Sequence, residues 1–132
     1  MLRSLLALVT GVIVVYALAV MANAVVFHGA SQEATPAVPL QVLLLGMGAL
    51  AAIVGGYAAG AIAGRRPLAH GLALGLLLAA IRVAMLARDR PGMGSASESR
   101  WFTIAVMVGA FIGGTLGGVM RAQRAHAVSA PE

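Results

Sequence analysis

Residues 40–64 read LQVLLLGMGALAAIVGGYAAGAIAG and residues 68–87 read LAHGLALGLLLAAIRVAMLA, with only Arg65-Arg66-Pro67 between them. An α-helix rises about 1.5 Å per residue, so about 20 residues cross the ~30 Å hydrocarbon core of a bilayer. Both runs are long enough, and neither has a Pro inside it to force a kink. Pro67 stops the first run and suits the first turn of the second. The stretch therefore predicts two consecutive transmembrane helices with a very short connection.

Working outward, two further apolar runs have the same character. One precedes the pair, from about Ser4 to Phe27, and one follows it, from Trp101 to Met120. The spans are thus expected at about 4–27, 40–64, 68–87 and 101–120, separated by loops at 28–39, 65–67 and 88–100. Loop chemistry agrees, with Gly29, Ser31, Pro36 and Pro39 in one connection and Asp89, Pro91, Gly92 and Gly94 in another. The polar tail 121–132 is expected to fray. The predicted fold class is all-α, with residues 1–132 forming one integral membrane bundle of four transmembrane helices.

Composition supports lipid as the solvent. The chain of 132 residues is 61% hydrophobic and only 10% charged, whereas about a quarter charged is typical of soluble domains. Arg3 followed by an apolar stretch and Ala22-Asn23-Ala24 has the look of a secretory signal. The apolar part of a signal is about 7–15 residues, and here it runs from Leu5 to Ala22 and beyond. The segment is read as an uncleaved first helix.

The net charge is +5, and every basic side chain is Arg. The arginines sit singly or in pairs at the ends of apolar runs, and do not form the dense patch that nucleic-acid binding requires. They read better as topology markers. With the N-terminus inside, the cytoplasmic face receives Arg3, Arg65, Arg66, Arg121 and Arg124. The outer face receives Arg88, Arg90 and Arg100, partly offset by Glu33, Asp89 and Glu98. Both termini are expected to be cytoplasmic. The Arg-only, Ala-rich composition suggests a GC-rich bacterial genome, and hence the bacterial inner membrane.

Small residues at four-residue spacing are the strongest local signal. Gly56, Gly60 and Gly64 form a row in the second run, and Gly109, Gly113 and Gly117 form one in the fourth, with Gly114 and Gly118 beside it. Gly71, Gly75 and Ala79 continue the pattern in the third run, and Ala7 and Gly11 in the first. Residues four apart share a helix face. In lipid, close backbone packing counts for more than apolar burial. These rows are the expected helix-packing residues, within one bundle or between copies. Ile53-Val54-Gly55-Gly56 with Gly60 also aligns with Phe111-Ile112-Gly113-Gly114 and Gly118. That raises the prospect of two parallel-repeat hairpins.

Candidate chemistry is sparse. Arg82 is the clear charge inside a run and is the candidate functional charge. Its long side chain can snorkel to the headgroups, or serve an anion or an interhelical partner. Asn23 is placed to hydrogen-bond between helices. Tyr16 and Tyr57 fall well inside their runs, and Trp101 with Phe102 fits an interfacial belt. His28, His70 and His126 show no ligand spacing and there is no Cys, so no metal site or cofactor is predicted. No Asp or Glu lies within any run, which weighs against proton-coupled transport and acid–base catalysis. No preceding strand makes the glycines a nucleotide loop. The expected partners are the bilayer, further copies of the chain or another membrane protein. The expected role is non-enzymatic packing or partner binding, with a small oligomeric transporter or channel using the Gly faces and Arg82 as the alternative.

Gly55-Gly56-Tyr57-Ala58-Ala59-Gly60, continued by Ile62-Ala63-Gly64-Arg65-Arg66-Pro67-Leu68-Ala69-His70-Gly71, resembles a segment of small bacterial four-helix membrane proteins. Their layout is similar, with a Pro-bearing outer loop (here Pro36 and Pro39) and a late Trp (Trp101) before a helix with a Gly pair (Gly113 and Gly114). The resemblance implies topology and carries no assigned activity. Small multidrug transporters have a similar length, but depend on a Glu in the first helix that this chain lacks. Fluoride channels carry a Thr- and Phe-rich motif in the third helix that is absent from residues 68–87.

Overall fold

The computed structural model describes residues 2–26, 38–88 and 100–129. Four helices follow one another: α1 (Leu2–Val26), α2 (Val38–Ala63), α3 (Pro67–Arg88) and α4 (Arg100–Ser129). Each contains a stretch long and apolar enough to cross a membrane. α1 is rich in β-branched residues such as Val9, Val12, Ile13, Val14 and Val15, which lose side-chain freedom in a helix. It is helical because a bilayer offers no water to its peptide groups, so each must be satisfied within the segment. The same solvent explains the outer surface, where Leu50, Val54, Ile104, Val108 and Ile112 are exposed.

Three span boundaries differ from the sequence expectation. Pro39 lies in the first turn of α2 rather than in the preceding loop, a position where its missing N–H costs nothing. Gly64 is outside α2, with φ +67°, and its N–H bonds back to the Gly60 carbonyl at 3.4 Å. It is exposed, with nothing near enough to touch a Cβ, so it terminates α2 instead of packing a helix. Glycine is favoured there because an L side chain is strained at positive φ. Residues 121–129 are not a frayed tail but the continuation of α4 to Ser129. The loops expected at 28–39 and 88–100 fall mostly outside the described residues.

The α2–α3 turn is tight. Arg65 N–H bonds to the Ala63 carbonyl at 2.7 Å, and Arg66 has φ +53°. The Arg66 carbonyl accepts the His70 amide at 3.4 Å and the His70 ring Nδ1 lies 3.1 Å from it. Arg66 is thus the residue that opens α3 just ahead of Pro67.

Alternating connections make α1 and α3 run one way, and α2 and α4 the other. α2 occupies the centre and packs on all three partners, while α4 packs on α2 and α3, and α1 on α2 and more lightly on α3. Among the described residues α1 does not touch α4. The two hairpins are therefore not exchanged by a closed two-fold axis. A two-fold axis exchanging α1 with α3 and α2 with α4 would turn the α2–α3 contact into an α4–α1 contact, and there is none. The aligned glycines diverge likewise, since Gly55 faces Gly11 and Val15 of α1 whereas Gly113 faces Ala49 and Ala52 of α2.

Gly114 is the point where three helices meet. A Cβ at Gly56 would fall on the Gly114 carbonyl, and one at Gly71 would lie 2.5 Å from the same oxygen. A Cβ at Gly114 would itself lie 2.9 Å from the Gly71 carbonyl and 3.1 Å from Gly75 Cα. Gly117 is closed by Ile53 and Tyr57, Gly113 by the Ala49 carbonyl at 2.7 Å, and Gly118 by the Pro67 carbonyl at 2.9 Å. Gly75 sits on the Phe111 backbone. Gly60 meets Pro67 and the Arg121 stem, which can yield, and Gly109 makes only ordinary contact with Leu45. Small side chains fill the rest of the interior. Ala7, Ala51, Ala52 and Ala59 are buried, and Leu74 is the one large residue wholly enclosed among those described, packed with Ala59 and Leu78 under Leu8, Val12 and Val15.

A graded response to added methyl groups follows. Gly56→Ala and Gly117→Ala push a Cβ into backbone that cannot move aside, and each should cost about 1–3 kcal/mol. Gly46→Ala meets nothing within 4 Å and should be neutral, or more stable by up to about 1 kcal/mol from helix propensity. Thermal unfolding in mild detergent checks the ranking. Equal stability of all three variants would mean that α2 and α4 do not meet through these glycines.

Candidate functional site

Polar side chains collect at the two ends of the bundle. The end bearing the α2–α3 turn carries Arg3 at the start of α1, Arg65 and Arg66 in the turn, and Arg121 and Arg124 on α4. Arg124 is brought there because α4 does not stop at Met120. One Nη of Arg124 donates to the Tyr57 hydroxyl at 3.1 Å, joining α4 to α2. The Arg121 stem rests against Gly60 of α2. Tyr57, Met120, Gln123, Arg124 and Ala127 line an open groove of about 470 Å³. Met120 and Ala127 contribute apolar lining, and Arg124, Tyr57 and Gln123 a guanidinium, a phenol and an amide.

The opposite end holds Arg82 near the end of α3, with Gln41 at the start of α2 and Thr103 at the start of α4. Gln41 and Thr103 are buried. Arg82 is half-buried, and its Nε is covered. All three take part in polar or electrostatic interactions. Protein therefore encloses part of the Arg82 guanidinium, in contrast to a side chain lying wholly along the lipid face. Trp101 and Phe102 stack edge to face at the same end, with centroids 5.8 Å apart.

Other sequence candidates are dispersed. Asn23 donates to the Ala19 carbonyl of its own helix at 2.8 Å and is exposed, so it does not bridge helices. Thr115 does the same with Phe111. Tyr16 is exposed on α1. His70 is held by Arg66, and His28 and the side chain of His126 lie outside what is described. Among the described residues no group of three His, Cys, Asp or Glu could hold a metal ion. Sequence reading overlooked Gln41, Thr103 and the pairing of Arg124 with Tyr57. The available signal was the set Met120, Gln123, Arg124 and Ala127, whose three- and four-residue spacing puts them on one face if the helix continues.

No protein-family model, curated protein or solved structure matches the chain.

Because Arg82 is partly enclosed, Arg82→Gln should lower stability by about 1.5–3 kcal/mol, the range for a hydrogen bond to a charged group. Arg65→Gln, on an exposed turn, should stay within about 0.5 kcal/mol. Chemical denaturation in detergent compares them. Indistinguishable midpoints would show that Arg82 is a solvated surface charge.

Proposed function

We propose that this chain is a non-enzymatic bacterial inner-membrane protein, with both termini cytoplasmic, that works by packing against copies of itself or against a membrane partner. It is best grouped with the small four-helix membrane proteins whose glycine-rich segment it resembles. The observation that carries this reading is the filled interior. Ala59, Leu74, Leu78 and the glycine-lined backbone contacts occupy the space between the helices, so one copy offers a rigid apolar body and not a passage. α4 adds to this by carrying Gln123, Arg124 and Ala127 past the apolar core to an exposed surface.

The orientation rests on arginine counting. Single Cys residues at Ser31, Ser97 or Ser129, in a chain with no Cys of its own, report it through an impermeant thiol reagent applied to intact cells. Labelling is expected at Ser31 and Ser97 and not at Ser129, and the reverse pattern would invert the topology.

A second reading, a small oligomeric transporter or channel, is favoured by one observation: buried Gln41 and Thr103 share an end of the bundle with Arg82. Solute passage would then run between copies. Reconstituted vesicles decide between the two. Anion or cation flux no faster than in protein-free vesicles is expected, and flux that rises with protein and falls in Arg82→Gln would replace the packing role with transport.

A further inference from the structure

We propose that the groove between α2 and α4 at the arginine-rich end binds the phosphate-bearing headgroup of an anionic phospholipid. Arg124 holds the phosphate beside Tyr57, Arg121 adds its charge from the preceding turn of α4, and the acyl chains run along α4 past Met120 and Leu116.

The depth is right for a headgroup. Arg124 lies one residue from the end of the apolar stretch Trp101–Ala125. Toward the middle of the helix the same face carries Met120 and Leu116, both exposed and apolar, at four-residue spacing. Away from the middle it carries Gln123, Arg124 and Ala127, which are exposed. One surface thus changes from apolar to cationic over about two turns, as a lipid changes from chain to phosphate.

The charges are arranged to receive an anion. A guanidinium has five N–H donors, and the Tyr57 hydroxyl accepts from one Nη of Arg124. That bond fixes the head of a long side chain before any ligand arrives, which lowers the ordering cost of binding. The planar guanidinium fork matches two phosphate oxygens at once. All four acidic residues of the chain, Glu33, Asp89, Glu98 and Glu132, lie outside the described helices. The four helices and the turn 64–66 therefore bring no carboxylate of their own to Arg3, Arg65, Arg66, Arg121 and Arg124. Basic pockets between transmembrane helices attract anionic headgroups on these grounds. Exposed Met120 and Leu116, leading from the groove along α4, favour a lipid-borne phosphate over a free one.

The purified full chain in mild detergent is titrated with phosphatidylglycerol, with phosphatidylcholine of the same acyl chains, and with inorganic phosphate, and bound lipid is read by native mass spectrometry alongside the thermal midpoint. Phosphatidylglycerol should bind about tenfold tighter than phosphatidylcholine, whose choline cation sits beside the same phosphate and is repelled by the arginines. The double variant Arg121→Gln, Arg124→Gln should lose that preference, while Arg65→Gln, Arg66→Gln, which removes the same charge outside the groove, should keep it. Loss in both variants alike would reduce the effect to diffuse surface charge and overturn the site. Protection by inorganic phosphate equal to that by phosphatidylglycerol would overturn the lipid assignment. A second measurement leaves every arginine in place. Leu116→Trp in a Trp101→Phe background reports on the acyl track, and brominated phosphatidylglycerol should quench it more than brominated phosphatidylcholine. Equal quenching would overturn the proposal.

Discussion

The rest of the structure depends on the approach of α2 and α4, whose backbones meet where Gly56 faces Gly114. In water such a contact would be one part of a hydrophobic core. In a bilayer the lipid tails solvate apolar side chains as well as another helix does, so burial alone drives little association. What remains is dispersion between closely fitted surfaces, with weak Cα–H contacts where backbones meet. Both fall off steeply with distance, so a single methyl group at Gly56 or Gly117 acts directly on the interaction that holds the bundle. Gly114 also meets Gly71 and Gly75, so α3 is registered against α4 by the same residue that registers α4 against α2.

This mode of packing decides where polar chemistry can sit. Helices that touch through backbone leave little room between them for large side chains, and the apolar interior is accordingly Ala and Gly with Leu74 and Leu78. Functional groups are displaced to the ends, where the helices give way to turns and longer side chains fit. Tyr57, Arg121 and Arg124 gather at one end, and Gln41, Arg82 and Thr103 at the other. The asymmetry of the hairpins has the same origin. α2 carries glycines toward both α1 and α4, Gly55 on one side and Gly56 on the other. α4 uses its glycines on α2 and α3 and leaves α1 untouched.

The four spans were legible because length and hydropathy are properties of a run as a whole and survive whatever packs against it. The glycine rows were legible as faces, since four-residue spacing fixes relative position on a helix. Spacing does not reveal where the helix ends, and so Gly64 read as one more packing glycine although it stands at positive φ past the last turn. Polarity misled in the opposite direction at Arg121–Ser129. Charged residues after Met120 suggested a tail, yet Arg121-Ala122-Gln123-Arg124-Ala125 is made of strong helix formers, and α4 continues through it. Gln41 and Thr103 passed unnoticed because a lone polar residue near a span end is buried or exposed according to which neighbour covers it. That is a tertiary fact with no local sequence signal. Asn23 was overread for a related reason, since an amide in a helix has the carbonyl four residues back always within reach.

Charge closes the comparison between the two ends. Three of the four acidic residues, Glu33, Asp89 and Glu98, belong in sequence to the segments joining α1 to α2 and α3 to α4. The end bearing the α2–α3 turn has five arginines, and the fourth acidic residue, Glu132, follows α4 beyond the last described residue. The arginines near Tyr57 find no acidic residue in α4 or in the turn 64–66. Like charges within about a Debye length, roughly 8 Å at physiological salt, repel unless something neutralises them. A bilayer surface bearing phosphate relieves that repulsion and adds directional bonds to guanidinium. On the lipid-site proposal, the link between Tyr57 and Arg124 responds to the anion content of the membrane around it. The glycine-built middle of the bundle, carrying no charge, is indifferent to it.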